Sequence, residues 1–332
     1  MIEHEKAPAF GAVIAKAERL YSGEKIDIDD NTVMHHKQLV FSCEIKDALG
    51  DSFLIRLGHG KDCYAATWLE LTARKLSVWH RYVESSSVFN EEHSLELSGF
   101  IKIVIDVNCG NSDTIVMTAS GMYKKQGIPW AGRNGKVFAE VEGRVLDNVN
   151  AAWSCSDYRK RIFVFGDSYL NTASSARWPY YLQKDGYNNC LMTGYPGMGC
   201  QRGIIDFRLA IERGSPEYAV WCLGMNNGDK NGEINPTWLE TTKEFVNTCK
   251  NRNIVPILST IPSTPTVDNS FKNHWVEQSG CRYIDFNRAV GAHIDLGWYR
   301  DMLHSDKVHP TALGAQALYM QVLTDLPEIM QQ

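Results

Sequence analysis

A serine that ends an apolar run, and a histidine three places after an aspartate, are the residues here best suited to covalent chemistry. Ile162-Phe163-Val164-Phe165 stops at Gly166-Asp167-Ser168-Tyr169, and Asp306-Lys307-Val308-His309, followed by Pro310, lies near the far end of the chain. A β-branched and aromatic run of this length predicts a buried strand. Ser168 then falls at a strand's carboxyl end, where open α/β sheets carry their sites. A serine hydroxyl is a weak nucleophile at neutral pH until an imidazole takes its proton and a carboxylate fixes the imidazole's tautomer. Asp306 and His309 offer both groups on one short loop. The pairing reads as a hydrolase with Ser168 as nucleophile.

Gly-Asp-Ser alone also describes a strand-to-helix turn with an amino-terminal cap. Two further blocks strengthen the catalytic reading: Gly194-Tyr195-Pro196-Gly197-Met198-Gly199, and Gly224-Met225-Asn226-Asn227. Each follows a predicted strand, so all four pieces can converge on one sheet edge. Their order and spacing resemble the SGNH hydrolases, also called the GDSL esterase family, over about residues 160–325. In the roles this implies, Ser168 attacks the acyl carbon, His309 takes and returns the proton, and Asp306 orients His309. The resemblance also implies three donors for the developing oxyanion: the backbone N–H of Ser168, a second-block glycine N–H and the Asn226 side-chain amide. Gly197 is the favoured glycine, and Gly199 is the alternative. No metal and no organic cofactor is implied. Two positions depart from the family pattern: Tyr169 stands where it has Leu, and Asn227 where it has Asp. Tyr169 is expected to pack rather than react, and so to tolerate change.

Other residues have weaker claims. His304 competes with His309 as base but lacks a following proline. Asp167, Trp178, Asp229 and Trp298 are placed to line the cleft, although Asp229 could instead cap a turn and tryptophans more often build cores. His35, His36, His59, His80 and His93 show no metal-ligand spacing.

The elements that must position these groups divide the chain. Before about residue 150, short runs of period-two character are separated by Gly, Asn, Asp and Ser clusters. They include 39–45, 52–57, 76–82, 100–107, 114–118 and 137–141. Many short strands with turn signals between them predict an antiparallel β-sandwich, jelly-roll-like. After about residue 155 strands alternate with helices, which predicts a parallel sheet covered on both faces. With the family resemblance, the fold class expected is α/β, a flavodoxin-like three-layer parallel sheet behind a sandwich. The boundary is placed near Trp153, giving a sandwich over 1–152 and a catalytic domain over 153–332.

Bulk properties exclude some partners. A net charge of −5 does not favour a nucleic-acid or anionic-membrane surface. No apolar run reaches the length of a membrane span. The stretch 9–15 is short and runs into Lys16 and Glu18, a poor secretory signal. Nine cysteines, odd in number and without tight spacing, argue against a disulfide framework. Cys43, Cys190 and Cys222 sit in apolar runs and read as small core residues. A cytoplasmic setting is expected, or a periplasmic or secreted one if a signal has been removed.

The expected substrate is a small-molecule or oligosaccharide acyl ester. No long apolar lid of the kind a lipid would favour is evident in the catalytic half. The β-rich first half resembles the accessory domain of several SGNH carbohydrate esterases. The leading expectation is therefore an O-acetyl esterase acting on a carbohydrate. The alternatives are a lipid or thioester acyl hydrolase, and a non-catalytic carbohydrate-binding protein. Transfer of the acyl group to another alcohol shares the same acyl-enzyme.

Overall fold

The computed structural model describes residues 2–6, 13–28, 37–45, 54–59, 65–72, 75–82, 85–92, 95, 97, 99–108, 111–129, 137–155, 159–170, 175–194, 196–229, 232–293 and 298–331. The chain divides into two compact units, Met1–Ser156 and Asp157–Gln332.

The first unit is antiparallel throughout. Seven strands, labelled in chain order, form one sheet: β1 (Ile2–Lys6), β2 (Val13–Leu20), β13 (Leu146–Cys155), β4 (Lys37–Ile45), β9 (Gly99–Asn108), β10 (Asn111–Thr118) and β11 (Gly121–Pro129). Six form the other: β3 (Lys25–Ile28), β12 (Val137–Glu142), β5 (Leu54–His59), β6 (Ala65–Thr72), β7 (Lys75–Tyr82) and β8 (Ser85–Glu92). Alternation in the sequence becomes alternation in burial. Leu39, Phe41, Cys43 and Ile45 of β4 are buried, whereas Gln38, Val40, Ser42 and Glu44 are not. One cluster of buried apolar side chains draws on both sheets, with Phe41, Ile103 and Ala151 from the first and Ile55, Leu69 and Val141 from the second.

Sequence patterning missed β2 and β13. Val13–Leu20 carries charges, yet Ala15 and Ala17 are buried while Lys16 and Glu18 are exposed. That is a strand's period of two. β13 pairs with both β2 and β4 and runs on to Cys155. The division thus falls after Ser156, because Trp153 lies within a strand of the first unit.

The second unit carries a five-stranded parallel sheet. In chain order its elements are β14 (Ile162–Gly166), α1 (Trp178–Lys184), β15 (Cys190–Gly194), α2 (Cys200–Arg213), β16 (Tyr218–Cys222), α3 (Pro236–Asn251), β17 (Val255–Ser259), α4 (Ser270–Gln278), β18 (Arg282–Ile284), α5 (Phe286–Ala289) and α6 (Ala312–Asp325). The strand order is β15-β14-β16-β17-β18. The chain first steps from β14 to one side, then returns and proceeds on the other. With right-handed crossovers this reversal puts α1 on the opposite face from α2 and α3. Accordingly α1 and α5 pack with α6, and α2 packs with α3. Every residue of β14 and β15 is buried, as expected for strands covered on both faces. The reversal makes a crevice at the carboxyl ends of β14 and β16, the usual ligand position in such sheets. Among the described residues, no helix is long and apolar enough to cross a membrane.

Candidate active site

Ser168 sits two residues beyond β14, at the start of a single 3-10 turn over Ser168–Leu170. The turn is closed by the Leu170 N–H on the Asp167 carbonyl at 3.0 Å and capped by the Tyr169 N–H on Asp167 Oδ1 at 3.1 Å. Ser168 is thus the first residue of the capped turn itself. Its neighbour strand comes very close: a Cβ on Gly194 would stand 2.6 Å from the Gly166 carbonyl oxygen. Only glycine fits there, which explains why the second block begins with one.

The loop after α5 brings the other two groups. A short antiparallel bridge between Leu303 and Pro310 closes it, with the His304 N–H on the His309 carbonyl at 2.8 Å. Inside it, Asp306 Oδ1 accepts the N–H groups of Val308 and His309, each at 2.9 Å. Asp306 Oδ2 lies 2.8 Å from His309 Nδ1, and His309 Nε2 lies 2.7 Å from Ser168 Oγ. A carboxylate, an imidazole and a hydroxyl thus form one hydrogen-bonded chain. In that order Nδ1–H donates to Asp306 and Nε2 faces the hydroxyl as an acceptor. His304 is exposed, and its Nδ1 accepts the Asp306 N–H at 3.3 Å. It braces the loop instead of facing the serine.

The second and third blocks are joined to each other. The Asn226 amide donates to the Met198 carbonyl at 3.0 Å, and Asn227 Oδ1 accepts the Cys200 N–H at 2.9 Å. An amide oxygen accepts that N–H as a carboxylate would. Gly197 has φ of +75° and is exposed, a backbone state that suits glycine. Gly199, with φ of −94°, is the N-cap of α2 and needs no such freedom. Beneath the third block lies a buried ion pair. Lys272 Nζ, 0% exposed, donates to Asp229 Oδ1 at 3.2 Å and to the Asn227 carbonyl at 2.9 Å. Asp229 Oδ2 also accepts the N–H groups of Phe271 and Lys272, capping α4.

Electrostatics divides the acids and bases into distinct states. For Asp306, burial works upward, but the N–H groups of His309 and Val308 and the His309 ring outweigh it and hold the carboxyl well below the usual range. His309 is lowered, first by burial and then by the Arg177 and His304 charges, against the pull of Asp306. It is therefore a neutral base near pH 7. Asp167 is the opposite case: burial pushes it up to about 7, against the Tyr169 N–H and Arg177.

The structure brings together Ser168, Asp306 and His309, and links Asn226 to the loop that holds Gly197 and Gly199. The residues expected to line the cleft are placed in the interior. Asp167 and Trp178 are 2% and 1% exposed, and Trp178 packs 6.2 Å from Phe286. Trp298, also buried, donates its indole N–H to the Ser263 carbonyl at 2.7 Å. Asp229 accepts the first-turn N–H groups of α4. His35, His36, His93 and Tyr195 lie outside the described residues, as do the side chains of His59, His80 and Trp153. Sequence reasoning missed Arg177, whose Nε donates to the Ser168 carbonyl at 2.6 Å, and Lys272. Neither carries a spacing signal: Arg177 bonds a backbone carbonyl, which any residue supplies, and the partners of Lys272 lie more than forty residues away in sequence. The buried thiols of Cys43, Cys190 and Cys222 are each pushed up to about 12 by burial, as core residues would be.

No family model matches the chain, and no curated protein does. Solved structures match about half of it. A lipolytic protein of the G-D-S-L family from Desulfitobacterium hafniense is 16% identical, with a TM-score of 0.43 over 50% of this chain and 98% of that one. TesA is 18% identical, with a TM-score of 0.41 over 51% and 98%. An acetyl-xylooligosaccharide esterase from Geobacillus is 14% identical, with a TM-score of 0.39 over 50% and 93%.

Proposed function

We propose that the chain is a serine esterase that hydrolyses short acyl esters, acetyl foremost, carried by a carbohydrate. The observation that carries this is the chain Ser168 Oγ to His309 Nε2 to Asp306 Oδ2, at 2.7 and 2.8 Å. His309 accepts the proton of Ser168 as its oxygen attacks the acyl carbon, then delivers it to the leaving alkoxide. Asp306 balances the imidazolium formed in between. The tetrahedral oxyanion is met by the Ser168 and Gly197 N–H groups and the Asn226 amide, with Gly199 the alternative to Gly197. Water then repeats the sequence on the acyl-enzyme.

The carbohydrate part rests on the first unit. We read it as a jelly-roll sandwich, since one buried cluster is fed by both of its sheets. Such a unit serves sugar binding or the shaping of a substrate surface. Replacement of Ser168 by Ala should abolish turnover of an acetyl aryl ester while moving the unfolding midpoint by no more than a few degrees. Substantial activity in that variant overturns the assignment. Acetate release from a panel of acetylated oligosaccharides then tests the substrate, and a clear preference for octanoyl over acetyl esters would favour a lipid hydrolase instead.

A further inference from the structure

We propose that Tyr169 is a positioning residue whose hydroxyl ties the nucleophile's turn to the Asp306–His309 loop and so sets the reach between Ser168 and His309. The proposal rests on Ser168 acting as the nucleophile. The two segments lie 141 residues apart in sequence, yet Oγ and Nε2 must stay within hydrogen-bond reach. Each segment is braced separately. The turn is held by Asp167 and, from outside it, by Arg177 on the Ser168 carbonyl; the loop is held by Asp306, by the Lys307 N–H on the His304 carbonyl and, from outside it, by Thr266 Oγ1 on the Lys307 carbonyl. None of these bonds joins one segment to the other. Among the described residues, two side-chain hydrogen bonds link 166–170 to 303–310. One is Ser168 to His309 itself; the other is the Tyr169 hydroxyl donating to the Val308 carbonyl at 2.5 Å.

Tyr169 is suited to this part. Its ring is buried, and its centroid lies 6.0 Å from that of His309. Its neighbours in sequence and in space are the two reacting groups, since it follows Ser168 and bonds the residue before His309. A leucine here could fill the volume but could not hold the carbonyl. The expectation that this position merely packs is therefore replaced by a specific bond.

The test is Tyr169→Phe, which keeps the ring and removes the hydroxyl. A misplacement of this kind should lower kcat roughly 10- to 100-fold, with KM within about twofold because no substrate contact is lost. The second-order rate of phosphonylation by a fluorophosphonate should fall by a similar factor. The acidic limb of the kcat/KM profile should move up in pH, as an imidazole less firmly buried between Ser168, Tyr169 and Arg177 on one side and Asp306 and His304 on the other returns toward its ordinary value. Tyr169→Leu should show the same kinetic loss despite its different shape. Wild-type kcat in Tyr169→Phe, or a loss confined to KM, overturns the positioning role. Ser168→Ala, assayed alongside, separates the failures. If it is inactive while Tyr169→Phe is fully active, the tie alone is wrong; if it is active, the nucleophile assignment fails and the tie with it.

Discussion

The three side chains proposed to react stood out in the sequence because chemistry restricts which types can serve and because each sits at a predicted strand end or on a short loop. Ser168 was picked from an apolar run ending at glycine, and His309 from an Asp three residues earlier together with a following proline. Arg177 and Tyr169 were not legible as partners, because what they bind is a backbone carbonyl and any residue supplies one. The pH behaviour belongs at this scale. His309 must be neutral to accept a proton, and burial lowers its pKa. Esterase activity should therefore rise with pH and reach half its plateau below about 6.5, the ordinary histidine value. A midpoint above that value contradicts the burial described. Asp306→Asn should leave the loop's N–H acceptor in place but present the wrong partner to Nδ1–H, cutting kcat by about 10⁴-fold. If Asn226 is an oxyanion donor as proposed, Asn226→Ala should cost about 10²–10³ in kcat, with KM little changed. Steady-state kinetics on an acetyl aryl ester checks both.

Among the elements, α4 shows what sequence patterning cannot see. Its buried positions include Lys272, Asn273 and Val276, so the face it turns inward is largely polar and no apolar stripe announces a helix. The polar face has work to do. Asn273 Oδ1 accepts the Ile261 N–H at 2.7 Å, and Lys272 and Asp229 pin the loop that ends in Asn226 and Asn227. Strands β14 and β16 were legible for the opposite reason: both faces are covered, so almost every residue is apolar. Lys272→Met should strand the Asp229 carboxylate in the interior and lower stability by about 3–5 kcal/mol, whereas adding Asp229→Asn should recover part of that loss. Urea denaturation monitored by tryptophan fluorescence reads both. Equal stability of Lys272→Met and the parent chain would mean that the pair is not desolvated.

At the scale of the molecule, two units with separate secondary-structure types divide at Ser156. That change of texture was visible in the sequence; the exact place was not, because β13 lies where the alternation changes and carries both patterns. All the groups proposed to act in acyl transfer, Ser168, Gly197, Asn226, Asp306 and His309, lie in the second unit. A chain of residues 157–332 should therefore unfold cooperatively and react with a fluorophosphonate at Ser168. Labelling followed by mass spectrometry checks it, and an unfolded or unreactive product would show that the first unit is needed to form the site. The close approach of Gly194 to Gly166 adds a consequence over evolutionary time. Neither glycine can take on a side chain, because a methyl at 194 would stand 2.6 Å from the Gly166 carbonyl oxygen and one at 166 would stand 2.7 Å from the Leu170 side chain. The walls around the serine are free to diversify toward new esters, while this pair stays fixed as the hinge-pin on which every such variant is built.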